Sequence, residues 1–316
     1  MIRFQSDIMG RIARKIRLLF TDPDARFSKL VNLGFFDFIP DEKYIQMRYM
    51  RQFGEKCDLI NPRTFNEKLQ WLKLHDRKPI YTAMADKYAA KKYVAGKIGK
   101  EYIIPTLGVW DDPDDIDFDK LPDRFVLKCT HNSGLGMCIC RDRSKLDIPK
   151  VKKELRKGLR QNYYLSGREW PYKNIKRRII AEKYMEDSSS ACLSVNDLND
   201  YKLMCFNGKV KCTFVCSERS ENLKVTFFDN DWNRLPFERH YPASDKEIQK
   251  PENFDTMIAL AEKLSEDIPF VRVDLYNVDG KIYFGELTFY PGCGFEEFSP
   301  DKWDRILGDW LVLPGK

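Results

Sequence analysis

Histidine is scarce in this sequence: three in 316 residues, none at a spacing that zinc would use. The nine cysteines are scattered and never form a C-x-x-C pair. A structural metal and a disulfide framework are thereby both disfavoured, and the thiols read as reduced side chains of a cytosolic protein. No apolar run has the unbroken length of a signal-peptide core or a spanning helix. Internal repeats, low-complexity tracts and flexible interdomain linkers are also missing, so the lobes should pack around one cleft. What remains is an ordinary globular composition, 43% hydrophobic and 32% charged, in a chain long enough for two or three lobes. The net charge of +6 is unevenly spread. Between residues 141 and 183 there are 15 Lys/Arg against 5 Asp/Glu, a surface for polyanions or a solvated basic helix.

The densest signal is a pair of β-rich runs, 271–276 and 281–288, around Asp279-Gly280. A three-residue loop, Val278-Asp279-Gly280, would place Gly280 in the left-handed position of a bulged hairpin. That register sets 272 opposite 286 and 274 opposite 284. Alternation then puts Arg272, Asp274, Phe284, Glu286 and Thr288 on one face, with Asp274 and Glu286 diagonal neighbours ~7–8 Å apart. Two carboxylates so placed suit Mg²⁺, which takes oxygen ligands and completes its shell with water and phosphate. Arg272 beside them offers a planar fork to a phosphoryl oxygen. A two-residue loop would send the carboxylates to opposite faces, leaving a core hairpin with its charges in solvent.

Upstream, residues 124–129 read as a strand ending at Lys128, followed by Thr130-His131-Asn132-Ser133-Gly134-Leu135-Gly136 and a second strand, 137–140. Small residues there let backbone N–H groups approach phosphate oxygens, with Lys128 as a point charge beside them. His131 is either a functional group or a hydrogen-bonding loop residue. Residues 147–166 form a basic helix, and 177–186 a strand leading into a linker. Asp200 to Val210 is strand, Asn-Gly turn, strand. Thr64 with Glu67 three residues on is a capping box at a helix start, and 85–94 reads as a continuous helix ended by Gly96 and Gly99. Residues 1–20 are a basic amphipathic helix that either packs on the body or lies on an anionic membrane surface.

Arg-Val-Asp-x(11)-Glu-x-Thr-x-x-Pro-Gly resembles the metal-binding hairpin of ATP-grasp ligases of the D-alanine–D-alanine ligase type. The chain from about residue 30, with its Thr-Phe-Asn-Glu-Lys block at 64–68, resembles the teichuronopeptide-biosynthesis (TupA-like) branch of bacterial surface polysaccharide pathways. Four blocks in the right order carry the likeness, the Gly-rich loop lying roughly 145 residues before the hairpin. One departure is Thr288, where many ATP-grasp enzymes carry Asn.

The resemblance implies an α+β ATP-grasp fold, two antiparallel-sheet subdomains clasping ATP behind an N-terminal helical and pre-grasp lobe. The divisions expected are 1–60 helical, 61–122 pre-grasp, 123–186 lid and 187–316 large subdomain. It implies that Lys128 meets the nucleotide phosphates and that Asn132, Ser133, Gly134 and Gly136 form the flap. Glu182, Lys183, Tyr184 and Met185 become the adenine linker. Asp200 and Lys202 match an Asp-Ile-Arg strand with Lys in place of Arg, so Lys202 reaches the γ-phosphate, alongside Arg272. Mg²⁺ falls to Asp274 and Glu286. The implied activity joins a small-molecule or glycan carboxylate, of the uronic acid type, to an amino acid or amine through an acyl phosphate, in the cytoplasm, either free or peripheral to the inner membrane. A sugar or glycan kinase on the same fold is the alternative. A glycosyltransferase would need more than Asp115-Ile116-Asp117 in an acidic loop. Nucleic acid ranks last, since few aromatics interleave the basic residues.

Overall fold

A computed structural model describes residues 23–32, 34–187, 199–218 and 222–315. The expectation for residues 1–20 falls outside them. Two helices, α1 (Pro23–Asn32) and α2 (Asp41–Phe53), lead into α3 (Phe65–His75). The predicted capping box starts α3: Thr64 Oγ1 accepts from the Glu67 N–H, and Glu67 reaches back to the Thr64 N–H. Phe65, Leu69 and Leu72 are buried, as the helical spacing required. Burying each contributes roughly 1.5–3 kcal/mol.

The helix read over 85–94 is in fact two, α4 (Ile80–Ala85) and α5 (Ala89–Ile98), and α5 runs through Gly96 to stop at Gly99. Asp86 makes the break. Its Oδ1 accepts from the Tyr88 N–H and its Oδ2 from Arg178, a side chain competing with helical continuation. Residue 87 is thereby freed from the helix, and its backbone N–H donates to Thr130 O.

Two antiparallel sheets follow. The first has the order β1-β4-β2-β3, from β1 (Thr106–Trp110), β2 (Phe125–Cys129), β3 (Met137–Cys140) and β4 (Ile179–Lys183). Its core packs against the basic helix α6 (Ile148–Arg160) through Val151, Leu155, Phe125, Leu127 and Ile179. Strand β1 comes from the segment assigned to the pre-grasp lobe, so this sheet crosses the division drawn at residue 122. The second sheet has the order β10-β9-β5-β6-β7. It comprises β5 (Asn199–Phe206), β6 (Lys209–Ser217), β7 (Lys224–Phe228), β9 (Phe270–Val278) and β10 (Lys281–Thr288); a short β8 (Glu238–Arg239) between β7 and β9 in the chain pairs instead with Phe298–Ser299. Its inner face (Leu203, Val273, Leu275, Leu287) is covered by α3, α4, α5, α8 (Phe254–Leu264) and α9 (Lys302–Trp310). The other face carries the charges.

Between α6 and β4 a short helix, α7 (Tyr163–Gly167), is tied to the N-terminal helices and to the chain after β10. Tyr44 Oη and Arg48 donate to Ser166 O, Tyr164 Oη to Asp41 Oδ1, Arg168 to Phe36 O, and Cys293 Sγ to Glu169 Oε1.

The hairpin register differs from expectation. The turn has two residues, Asp279 (φ 50°) and Gly280 (φ 75°), both left-handed, and Val278 pairs with Lys281. Left alone, that register would split the carboxylates between faces. A β-bulge at Gly285 restores them: Leu275 pairs with Phe284, and the next pair is Asp274 with Glu286. The bulge needs glycine, because a Cβ there would lie 3.0 Å from Asp274 O and 3.1 Å from the Tyr276 ring. Phe284, expected on the charged face, instead lies in the core with Leu275.

Candidate active site

The charged face of the second sheet is built by cross-strand pairing. Glu286 opposes Asp274, Asp274 opposes Lys202, and Arg272 opposes Thr288. Asp274 is buried and accepts from Arg272 Nε at 2.6 Å, Arg272 Nη2 at 2.7 Å and Lys202 Nζ at 2.5 Å. Lys202 also reaches Asp200 at 2.6 Å. Arg272 Nη2 extends to Glu286 Oε1 (3.1 Å) and Thr288 Oγ1 (3.0 Å), while the Thr288 hydroxyl donates to Glu286 Oε1. The carboxylates thus meet head-on across the strands rather than diagonally.

The first sheet and the α4–α5 segment bring lysines to this cluster. Lys128 and Lys91 each lie 2.5 Å from the Glu182 carboxylate, which is 7% exposed. Glu182, expected in the adenine linker, lies on β4 and is the counter-ion of Lys128 and Lys91. Lys91 also donates to Ile104 O. Lys87 donates to Asn132 O and stands near Glu286, Lys128 and Glu182. Its signal was present as Asp86-Lys87 followed by Lys91, but a continuous helix hid the direction of the side chain.

The Gly-rich loop is split in its roles. Ser133 and Gly134 are exposed at the tip. The Asn132 side chain turns away and donates to Gly158 O and Gln161 Oε1 at the end of α6. Gly136 (φ 71°) packs on that helix, where a Cβ would be 2.9 Å from Gly158 Cα. His131 is a loop hydrogen-bonder: it is 3% exposed and its Nε2 donates to Gln161 O. At the end of β4, Lys183 gives its N–H to Pro105 O, and beyond it Tyr184 lies under Arg124, which pairs with Glu186. Tyr184 and Met185 follow the end of β4 as irregular chain.

Burial opposes charge throughout the cleft, and the clustered cations overcome it at Glu286. Desolvation raises that carboxyl, but Lys87, Arg272, Lys202 and Lys128 together bring it down to about 2. Burial likewise raises Asp274. Three charge-assisted hydrogen bonds from two cations keep it ionised at neutral pH. Lys202 is held more firmly protonated despite burial, by Asp274 and Asp200.

The sequence profile described as TupA-like ATPgrasp matches residues 67–312. The chain belongs to the TupA-like ATP-grasp family. ATP-grasp is therefore its fold, and ATP and Mg²⁺ are the family's general cofactors. No curated protein was found to match the sequence. Among solved structures, similar ones include a D-alanine–D-alanine ligase from Bacillus anthracis complexed with ATP (16% identity, TM-score 0.38, covering 65% of this chain and 53% of that one). Another is the Helicobacter pylori D-alanine–D-alanine ligase (12%, 0.39, covering 72% and 61%), and a third is the D-cycloserine synthetase DcsG (15%, 0.39, covering 74% and 72%). The chain thus spans 53% and 61% of the two D-alanine ligases.

The donor set of this TupA-like protein fits Mg²⁺. No group of three or more His, Cys, Asp or Glu that could hold a metal ion occurs among the described residues. The opposed Asp274 and Glu286 offer two carboxylates only, which suits an ion that keeps water and substrate phosphate in its shell. A groove of about 950 Å³ beside α5 shares Lys91 with the Glu182 triad but has neither hairpin carboxylate in its lining.

Proposed function

We propose that this protein is an ATP- and Mg²⁺-dependent carboxylate–amine ligase. The observation that carries the reading is the direct opposition of Asp274 and Glu286 across the Gly285 bulge, with Lys128 of the other sheet and Lys87 of the turn before α5 acting on them. Asp274 and Glu286 would hold the magnesium. Bound there, Mg²⁺ neutralises charge on the phosphates during transfer. Lys128, fixed by Glu182, and Lys87 hold the phosphate chain. Lys202 and Arg272 stand where the γ-phosphoryl meets the acceptor carboxylate, stabilising charge on the transferring oxygens. A substrate carboxylate oxygen takes the γ-phosphoryl group and ADP leaves. The amine nitrogen then attacks the acyl carbon, inorganic phosphate departs with the bonding pair, and nitrogen loses a proton. The linker Lys183-Tyr184-Met185, with Asp200 behind Lys202, completes the nucleotide end, and Ser133, Gly134 and Gly136 the flap.

The carboxylate belongs to a uronic acid-type sugar or glycan of a bacterial surface polysaccharide, and the amine to an amino acid or a simpler amine; the branch context supports this assignment. The protein works in the cytoplasm, with residues 1–20 as the contact to the inner membrane surface. Among the described residues no helix is long and apolar enough to cross a membrane. The test is ADP release against a panel of uronic acids and amino acids with Mg²⁺. Release that requires both a carboxylate and an amine is expected; release driven by sugar hydroxyls alone would make the protein a kinase. Glu286→Gln should abolish turnover with the fold intact, and full activity in that variant would refute the metal assignment.

A further inference from the structure

Across the charged face, one row of side chains runs through five strands. Glu286 opposes Asp274, Asp274 opposes Lys202, Lys202 opposes Phe214, and Phe214 opposes Phe227. The row changes from ionic to aromatic at Phe214, and a second arginine stands over the aromatic end. The Arg239 guanidinium carbon lies 4.8 Å from the Phe214 ring centre and 5.5 Å from that of Phe227. Arg272 is 5.6 Å from the same Phe214 ring, so the two guanidinium groups share one neighbourhood. Arg239 is only 7% exposed.

Its hydrogen bonding is incomplete. Nε forms an ion pair with Glu296 Oε2 at 2.9 Å, but neither Nε nor the buried Nη1 makes a hydrogen bond. A guanidinium carries five donors, and leaving buried ones unmade is costly. Burial lowers the Arg239 pKa, opposed by Glu296 and reinforced by Arg272. Glu296 also lies against Gly292 (φ 58°), where a Cβ would be 2.1 Å from its carboxyl carbon. The cation therefore sits beside the turn that follows the metal hairpin, at the end of the row away from Glu286 and the lysines facing it.

We infer that Arg239 binds a non-reacting carboxylate of the amine substrate, which is therefore an amino acid rather than a simple amine. The inference rests on the ligase reading. A carboxylate matches one planar fork whose charge is partly offset by Glu296, whereas a polyphosphate would call for several cations, as the opposite end of the row supplies. The carboxylate that becomes activated must lie at Lys202 and Arg272, so the group at Arg239 is a second one. With phosphates at the lysine end and acyl transfer at Arg272, the tail of the attacking amine extends toward Arg239.

The test compares ADP release by the full chain with free amino acids of both configurations and with their carboxamides, under saturating ATP, Mg²⁺ and carboxylate donor. Free acids are expected to exceed carboxamides by more than about tenfold in kcat/KM, as expected when a buried donor loses its partner. In Arg239→Gln the preference should vanish through a higher KM for the acid, with kcat within a few-fold. Arg239→Lys should keep part of it. If Arg239→Gln does not fold, the wild-type comparison and Arg239→Lys decide. Amine-dependent release indifferent to the carboxylate, or equal losses for acid and carboxamide, would overturn this inference alone. Absence of any amine-dependent release would remove the ligase reading and this inference with it.

Discussion

Glu182 separates two accounts of the nucleotide end. If it contacts the nucleotide, Glu182→Gln should raise the KM for ATP and leave the ligand-free protein as stable as before. The structure argues for a different outcome. Glu182 is 7% exposed and neutralises two lysines at 2.5 Å each, Lys91 being 11% and Lys128 20% exposed. Deleting one partner of a buried pair costs about 3–5 kcal/mol, because the other charge stays behind. The partial exposure of Lys128 argues for the lower end, about 3 kcal/mol. At roughly 2 °C per kcal/mol for a chain of this size, the melting point should drop by about 6 °C. ATP should recover part of that drop, since its phosphates replace the missing countercharge. Glu182→Gln with Lys91→Met should be more stable than Glu182→Gln alone. Despite desolvation, Lys128 and Lys91 hold the Glu182 carboxyl below its usual range. A depressed folded-state value means stability present above the ordinary carboxylate pKa and lost as pH falls through the folded one, so variant and wild type should converge in acid. Scanning calorimetry with and without ATP is the assay. A melting point within 1 °C of wild type, paired with a raised KM, would refute the counter-ion argument.

Three further outcomes can be checked. Gly285→Val should cost about 1–3 kcal/mol by overpacking and lower ATP turnover at least about tenfold, because relief of the clash at Asp274 O moves the Asp274 carboxylate away from Glu286; wild-type turnover would sink the bulge argument. Lys73 is fully buried, donates to Gln70 Oε1 and Cys293 O, and is brought down to about 8, chiefly by burial. The unfolded chain holds that proton to about 10.4, so stability should rise with pH between the two values, by about 3 kcal/mol relative to Lys73→Met in chemical denaturation. Burial lowers His131 to about 4, so stability should fall by about 3 kcal/mol as pH drops from about 6.5 to 4. His131→Asn should remove that loss; an unchanged acid profile would mean the imidazole is not held neutral.

The hairpin shows how much of the site could be read in advance. Alternation and Asp-Gly were enough to bring Asp274 and Glu286 to one face, but by the wrong route. The turn is one residue shorter than expected and the strand absorbs one residue more; the two shifts add to two, which restores the face but moves Glu286 from opposite Arg272 to opposite Asp274. Glycine suits either a bulge or a turn, so local sequence could not distinguish Gly285 from Gly280 as the adjusting residue. Capping at Thr64 and the Asn207-Gly208 turn were legible because their chemistry is local. Lys87 was not, since its direction depends on Asp86 bonding to Arg178, a partner 92 residues away. The surroundings of Glu182 and Arg239 escaped for the same reason: a glutamate and an arginine on strands acquire meaning only from what lies opposite.

The ties around α7 bear on how the cleft admits ATP. Ser166, Arg168 and Glu169 are moored to three separate parts of the chain, while Ser133 and Gly134 at the far end of the same subdomain meet solvent. Motion should be greatest where moorings are fewest. The clasp would then work like a tongue rooted at one end: on the ligase reading, nucleotide would enter and ADP depart beneath its outer edge, while the moored end stays put.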